Sequence, residues 1–171
     1  MTSKARFSIA LISIILLIWV TYLQVYEMSA IVGLGIAYQV WAYFRQGTVA
    51  LAARAYQKKD YASAEKLLKE IKNPDRLAKS RRGYYEFIQG NIQLQKGNHV
   101  EAETHFQIAS RFPLRNENDK GIVLVQLANL NLQKKEFLKA GAYLNVAKDL
   151  KLSSRVQSIV QKIEYEIQKA K

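Results

Sequence analysis

The 171-residue sequence predicts an all-α protein, with an N-terminal hairpin of two apolar helices, then a stack of about three helix pairs closed by a C-terminal capping helix. Three observations predict it. Stretches of the chain superimpose without a gap at one fixed offset, the one that carries Ala64 to Ala102 and Ala102 to Ala140. Small residues recur in columns at that offset, with Ala64, Ala102 and Ala140 in one and Ala52, Gly90 and Ala128 in another. Residues 1–46 hold two nearly uncharged apolar runs. Self-similarity at a period of this length marks a stacked array in which each unit covers its neighbour's apolar face.

The first element is the apolar run Phe7 to Leu23, which has no charge and includes Ile14, Ile15, Leu16, Leu17 and Ile18. A second runs from Ala30 to Phe44, and the uncharged stretch begins at Met28. Helices at about 7–24 and 28–45 are just long enough to cross a bilayer. Only Gln24, Val25, Tyr26 and Glu27 lie between them, so residues 1–46 are expected to form a transmembrane hairpin. Trp19, Tyr22 and Tyr26 would mark one interface, and Trp41, Tyr43 and Phe44 the other. Ser29, Gly33 and Ala37 recur every fourth residue, a spacing that lets helices pack closely in lipid.

Two other readings compete for this region. Lys4 and Arg6 before an apolar run also suit a cleaved secretory signal, but no small residue stands three before the candidate cut near Ser29 and Ala30, and a second apolar run follows at once. A single anchor is the other. Lys4, Arg6, Arg45, Arg54, Lys58 and Lys59 flank the hairpin while its turn has no Lys or Arg. The positive-inside rule then keeps both ends cytoplasmic, and sends the repeats outside if only the first helix spans. The expected placement is an integral protein of a bacterial inner or plasma membrane with its repeat domain in the cytoplasm.

Residues 47–171 form the second domain, with repeats at about 47–75, 82–113 and 119–151 and a capping helix at 153–170. Each repeat needs one helix ending near Lys58, Lys96 or Lys134, a tight turn, and a second helix carrying the column alanine. Tyr61, His99 and Phe137 form an aromatic column in which His99 is expected to pack. Leu68, Phe106 and Leu144 form a large apolar column, and Ile71, Ala109 and Ala147 a smaller one. Small residues let helix backbones approach while the larger ones fill the space between them. After the third repeat, Ser153 and Ser154 can cap a last helix with Val156, Ile159, Val160, Ile163 and Ile167 on one face.

The second unit, Gly90-Asn91-Ile92-Gln93-Leu94-Gln95-Lys96-Gly97-Asn98-His99 through Ala102, Phe106 and Ala109 to Phe112-Pro113, resembles the tetratricopeptide repeat family. The third unit, with Leu124, Leu127, Ala128, Phe137, Ala140, Leu144 and Ala147, resembles it equally, and the first is a degenerate copy. Repeats of that family usually run about 34 residues, so the longer period here implies longer helices or loops. The resemblance implies a membrane-anchored tetratricopeptide protein whose inner groove is lined by the first helix of each pair. The groove columns would be Val49, Phe87 and Val125; Ala53, Asn91 and Asn129; Tyr56, Leu94 and Leu132; and Gln57, Gln95 and Gln133. The amides suit a peptide backbone and the apolar residues its side chains. The lysine that the family's chaperone-tail clamp needs is replaced by Phe87 and Val125.

Residues 47–171 carry 23 Lys plus Arg against 13 Asp plus Glu, a net +10. Lys72, Arg76, Lys79, Arg81 and Arg82 form the densest cluster, suited to a solvated surface or to contact with anionic lipid or an acidic protein. Nucleic acid is disfavoured because no recognition module accompanies the charge. Catalysis finds little support. There is no Cys, the spacing of His99 and His105 does not suit joint metal ligation on one helical face, and no phosphate-cradling glycine loop is present. No cofactor or metal is expected. The resulting expectation is a membrane-anchored scaffold or adaptor that gathers a protein or peptide partner. A structural or assembly subunit of a membrane complex, or a binder facing the exterior, are the alternatives.

Overall fold

The computed structural model describes residues 3–24, 26–46 and 48–170, with side chains for 11–24, 26–41 and 48–170. Those residues form an all-α fold of nine α-helices and one 3-10 turn. Helices α1 (Ser3–Tyr22) and α2 (Tyr26–Gln46) make a hairpin. The pairs α3 (Val49–Gln57) with α4 (Tyr61–Lys69), α5 (Lys79–Gln95) with α6 (His99–Arg111), and α7 (Glu117–Gln133) with α8 (Phe137–Lys148) follow, then α9 (Ser154–Lys169). A 3-10 turn at Pro74–Arg76 lies between the first two pairs. Within each pair the helices pack along their length; α3 and α4 then meet α5, α6 meets α7, and α9 lies on both α7 and α8.

The turns inside the pairs repeat as faithfully as the sequence columns. Lys59, Gly97 and Lys135, spaced by the same period, all take left-handed backbone with φ of 62°, 79° and 62°. After each, the N–H of Asp60, Asn98 or Glu136 donates to the carbonyl of Ala55, Gln93 or Asn131 at 3.0, 2.9 and 2.9 Å. This bond satisfies carbonyls that a helix end otherwise leaves open, and it needs one residue in the left-handed region. The second helix then restarts at once. In the first pair Asp60 caps it, its carboxylate accepting the Ser63 N–H at 3.0 Å, which holds that carboxyl below its usual range.

Packing between paired helices follows from one exchange of volume. Ala52, Gly90 and Ala128 are buried, and the large column of Leu68, Phe106 and Leu144 is fully buried in the partner helices. At Gly90 a Cβ would lie 2.8 Å from the Phe106 ring, so the larger aromatic side chain occupies the space a methyl group would need. A second close approach was not among the sequence columns. A Cβ on Gly83 would meet Leu114 at 2.9 Å, and one on Gly121 would run into Leu152. Gly121 and Leu152 stand one period beyond Gly83 and Leu114. Here the loop after each second helix folds back over the start of the first. Glu117 and Asn118 hold the later loop there by accepting the Lys151 and Ser153 N–H groups at 2.8 Å.

Helix α9 is the first helix of a fourth unit, since its residues fall one period beyond those of α7. Val156, Val160, Ile163 and Ile167 are buried against the third pair, and Lys148 pairs with Glu164 across α8 and α9. Its position in the small-residue column is Glu166, which is exposed and closes the stack with a charge. Ser153 occupies the N-cap position in extended backbone, yet its side chain makes no capping bond, contrary to expectation. His99 is also corrected: it is exposed at the first position of α6, whereas Tyr61 and Phe137, likewise first in α4 and α8, are half-buried, the polar imidazole staying in water where the larger aromatic rings pack.

The integral-membrane placement is overturned at the hairpin: among the described residues, no helix is long and apolar enough to cross a membrane. The apolar run Ile14 to Val20 in α1 is bounded by Ser13 and Thr21, and α2 carries Glu27, Ser29, Tyr38 and Gln39 along its length. Those groups interrupt the roughly 20 consecutive apolar residues a span requires. Several form the helix contact instead: Gln39 Nε2 donates to Ser13 Oγ at 3.1 Å, and Thr21 faces Ser29 at 3.4 Å between hydroxyl oxygens. The side chains of Lys4, Arg6, Phe7 to Ala10, Tyr43, Phe44 and Arg45, on which parts of the expectation rested, lie outside the described residues, as does Val25 of the turn.

Candidate binding groove

Tyr56 begins the face expected to bind a partner. Its ring packs edge-on against Phe87 and Tyr61, with centroids 5.7 and 5.8 Å away, and burial pushes its hydroxyl pKa up to about 12, so the phenol stays a neutral donor. Phe87 lies beneath it, 8% exposed, and also meets Tyr84 and Phe106. It therefore lies at the base of the expected face, beneath Tyr56. Val125 is likewise buried, at 6% exposure. Val49 is fully buried and Ala53 half-buried, so this side of the face belongs mainly to the core.

The amide columns divide in two. Asn91 is half-buried and donates from Nδ2 to the Phe87 carbonyl at 2.7 Å, one turn back on its own helix, which engages one of its amide donors. Asn129 is half-buried and lines an open cavity. Gln57, Gln95 and Gln133 are exposed at the ends of α3, α5 and α7, beside half-buried Leu94 and Leu132. Of the expected groove columns, the glutamines are thus exposed, and Leu94, Leu132, Tyr56 and Asn129 are half-buried.

The cavity at Asn129 has a volume of about 370 Å³ and lies between α7 and α9. Ile122 and Val125 from α7 and Ile159 and Ile163 from α9 make it apolar, while Gln126, Asn129, Lys162 and Glu166 bring polar groups to it. Ile122, Gln126, Lys162 and Glu166 escaped the sequence reading. Carrying the repeat spacing one step past the third unit would have placed α9 in the series of first helices, because Ile163 then falls in the column of Phe87 and Val125.

One member of the basic cluster is engaged within the protein. Arg82 is half-buried and bridges Asp75 and Glu86, each at 2.8 Å, so it belongs to the protein's interior bonding. Lys72, Arg76 and Lys79 are exposed and Arg81 is half-buried, placed in the loop, the 3-10 turn and the first turn of α5.

That bridge leads to a second feature absent from the sequence reading. Glu86 is only 2% exposed, and its other oxygen lies 2.6 Å from His105 Nδ1. The same two places hold Thr48 and Leu67 in the first pair, where the Thr48 hydroxyl bonds the Leu67 carbonyl, and Leu124 and Tyr143 in the third. Glu86 and His105 therefore stand in the middle pair where the first and third pairs carry neutral groups. Among the described residues no group of His, Cys, Asp or Glu could hold a metal ion. Comparison with protein-family models, with curated proteins and with solved structures gave no match.

Proposed function

We propose that this chain is a tetratricopeptide-like scaffold without catalytic chemistry, whose stacked helix pairs present one face to a protein or peptide partner. The observation that carries the reading is the recurrence of geometry at the repeat period. The left-handed residues Lys59, Gly97 and Lys135 share it, and so do the ion pairs joining consecutive pairs. Lys96 bonds Glu65 at 2.8 Å, and one period later Lys134 pairs with Glu103. Units that repeat to this degree build a continuous face from their first helices, and such faces serve as extended binding surfaces. Replacing Gln57, Gln95 and Gln133 together by Ala, with Leu94→Ala, removes surface groups without opening the buried core. Affinity capture of the full chain from its native extract, compared with this variant, should lose a specific protein. An unchanged set of captured proteins rejects the reading.

A second reading, a subunit of a larger assembly, is favoured by the hairpin. No described side chain between Leu11 and Trp41 is buried, and Ile12, Ile18, Trp19, Ile31, Leu34 and Tyr38 are each at least 60% exposed. Apolar surface on this scale marks an interaction site. Nothing lies within 4 Å of a Cβ placed on Gly33, so Gly33→Leu fits the isolated hairpin but would obstruct a tightly packed neighbour. Native mass spectrometry showing the same assembly for both proteins would exclude a role for that face.

A further inference from the structure

The loops between helix pairs gather the positive charge of the repeat domain on one edge. Leu114 over Gly83 and Leu152 over Gly121 place the loops after α6 and α8 at the starts of α5 and α7, and the ion pair of Arg82 with Asp75 ties the loop after α4 to the same edge. Residues 70–82, 111–120 and 148–155, which form it, hold 11 Lys plus Arg against five Asp plus Glu, a net +6, while the rest of residues 47–171 carries +4. Glu86 on Arg82 and Glu164 on Lys148 reach the edge from neighbouring turns and still leave it at +4. Lys72, Arg76, Lys79, Arg111, Arg115 and Lys151 are exposed along it.

The hairpin joins the chain at this edge. Helix α3 begins three residues after α2 ends, and the Thr48 hydroxyl at that start bonds the Leu67 carbonyl near the end of α4. Along α1, Ser13 and Leu17 are half-buried in the narrow seam with α2, while Ile14, Ile15, Leu16, Ile18 and Trp19 are exposed. Successive helical positions turn by about 100°, so those five residues point to all the other sides. A helix apolar all round is one surrounded by apolar matter. One partner face, a second copy of the hairpin included, would cover one side and leave the others in water. Nucleic acid would neutralise the basic edge and leave the hairpin in water, and an apolar protein surface would do the reverse. Anionic lipid supplies headgroup charge and an apolar layer side by side.

We propose that the loop edge docks on anionic lipid headgroups, with the hairpin held among the lipids of the one leaflet it faces. This is attachment to one side of a bilayer, and no helix has to cross it. The inference goes beyond the scaffold reading and does not rest on it.

Trp19 and Trp41, the two tryptophans of the chain, both lie in the hairpin and report its surroundings. The full chain is mixed with vesicles of phosphatidylcholine, alone or with phosphatidylserine, binding is measured by co-sedimentation, and tryptophan emission is followed with brominated lipids in the same vesicles. Binding should be tighter with phosphatidylserine and fall as salt is raised, and the bound protein's emission should shift to the blue and be quenched by the bromines. Lys79→Gln, Arg111→Gln and Lys151→Gln, one at each loop, should each weaken binding about five-fold. Lys58→Gln, Lys59→Gln and Lys135→Gln remove as much charge from the turns at the opposite edge and should change it far less. Equal losses in the two sets, equal binding to phosphatidylcholine alone, or binding without quenching overturns the proposal. Displacement of the protein from the vesicles by poly-uridine overturns it as well and assigns the edge to nucleic acid. Absence of vesicle binding overturns it while leaving the scaffold reading, tested by protein capture, untouched.

Discussion

The Phe106 ring occupies the space that a Cβ on Gly90 would need, at 2.8 Å, so the middle pair carries Gly opposite Phe where its neighbours carry Ala and Leu in the same columns. The sum of volumes is kept while each partner changes. Close-packed interiors demand this kind of compensation, because neither a void nor an overlap is tolerated cheaply.

Gly90→Ala should therefore destabilise the protein by about 1–3 kcal/mol through overpacking, even though Ala favours a helix by up to about 1 kcal/mol over Gly. Adding Phe106→Leu recreates the combination of Ala52 with Leu68 and should recover most of the loss. Denaturant unfolding of the two single variants and the double variant reads the coupling directly. Additive effects would remove the compensation argument.

Glu86 should respond unequally to two substitutions. Glu86→Ala leaves Arg82 and His105 facing a buried gap and should cost about 3 kcal/mol or more, as removal of one member of a buried ion pair does. Glu86→Leu with His105→Tyr installs the neutral pair found at Leu124 and Tyr143 and fills the gap, so it should cost less, although Arg82 loses Glu86 there too. Arg82 keeps Asp75 in both. Chemical denaturation decides the point, and equal losses in the two variants would contradict it.

Lys59 and Lys135 hold left-handed backbone at positions where the middle pair has Gly97. A residue with a Cβ is disfavoured there by roughly 1 kcal/mol. Lys59→Gly and Lys135→Gly should each raise stability by about 0.5–1 kcal/mol, and Gly97→Lys should lower it comparably. Thermal unfolding of the three variants checks the sign at each turn.

Glu65 accepts hydrogen bonds from Lys69 and Lys96, which hold its carboxyl below the usual range. A carboxyl whose folded pKa is depressed adds stability above its unfolded pKa and loses it as pH falls through the folded value. Lys96→Met should raise the Glu65 pKa, seen by NMR titration, and narrow this acid-side loss. At neutral pH the cost should stay within about 0.2–1 kcal/mol, because Lys96 is 45% exposed and water screens the pair.

The all-α fold and the helix pairs were legible because the same residue sizes recur at one period, and periodicity of that length is satisfied by stacking. Gly83 and Gly121, with Leu114 and Leu152, kept the same spacing and were still overlooked, since a glycine matters only once the chain that folds over it is known. The groove was half legible. Gln57, Gln95 and Gln133 are exposed as their register implied, whereas Phe87 and Val125 are buried. One helical face is wide enough to serve core and surface together, and sequence spacing does not divide it.

By itself, the sequence determined the helical class, the register of the repeats, the absence of thiol chemistry and the surplus of positive charge. These follow from residue type and spacing alone. Only the tertiary structure decided that Glu86, Arg82 and His105 meet, that Asn91 turns back onto its own helix, and that α9 leaves a slot against α7. Such contacts depend on the angle and distance between helices far apart in the chain, which close packing fixes and local sequence does not.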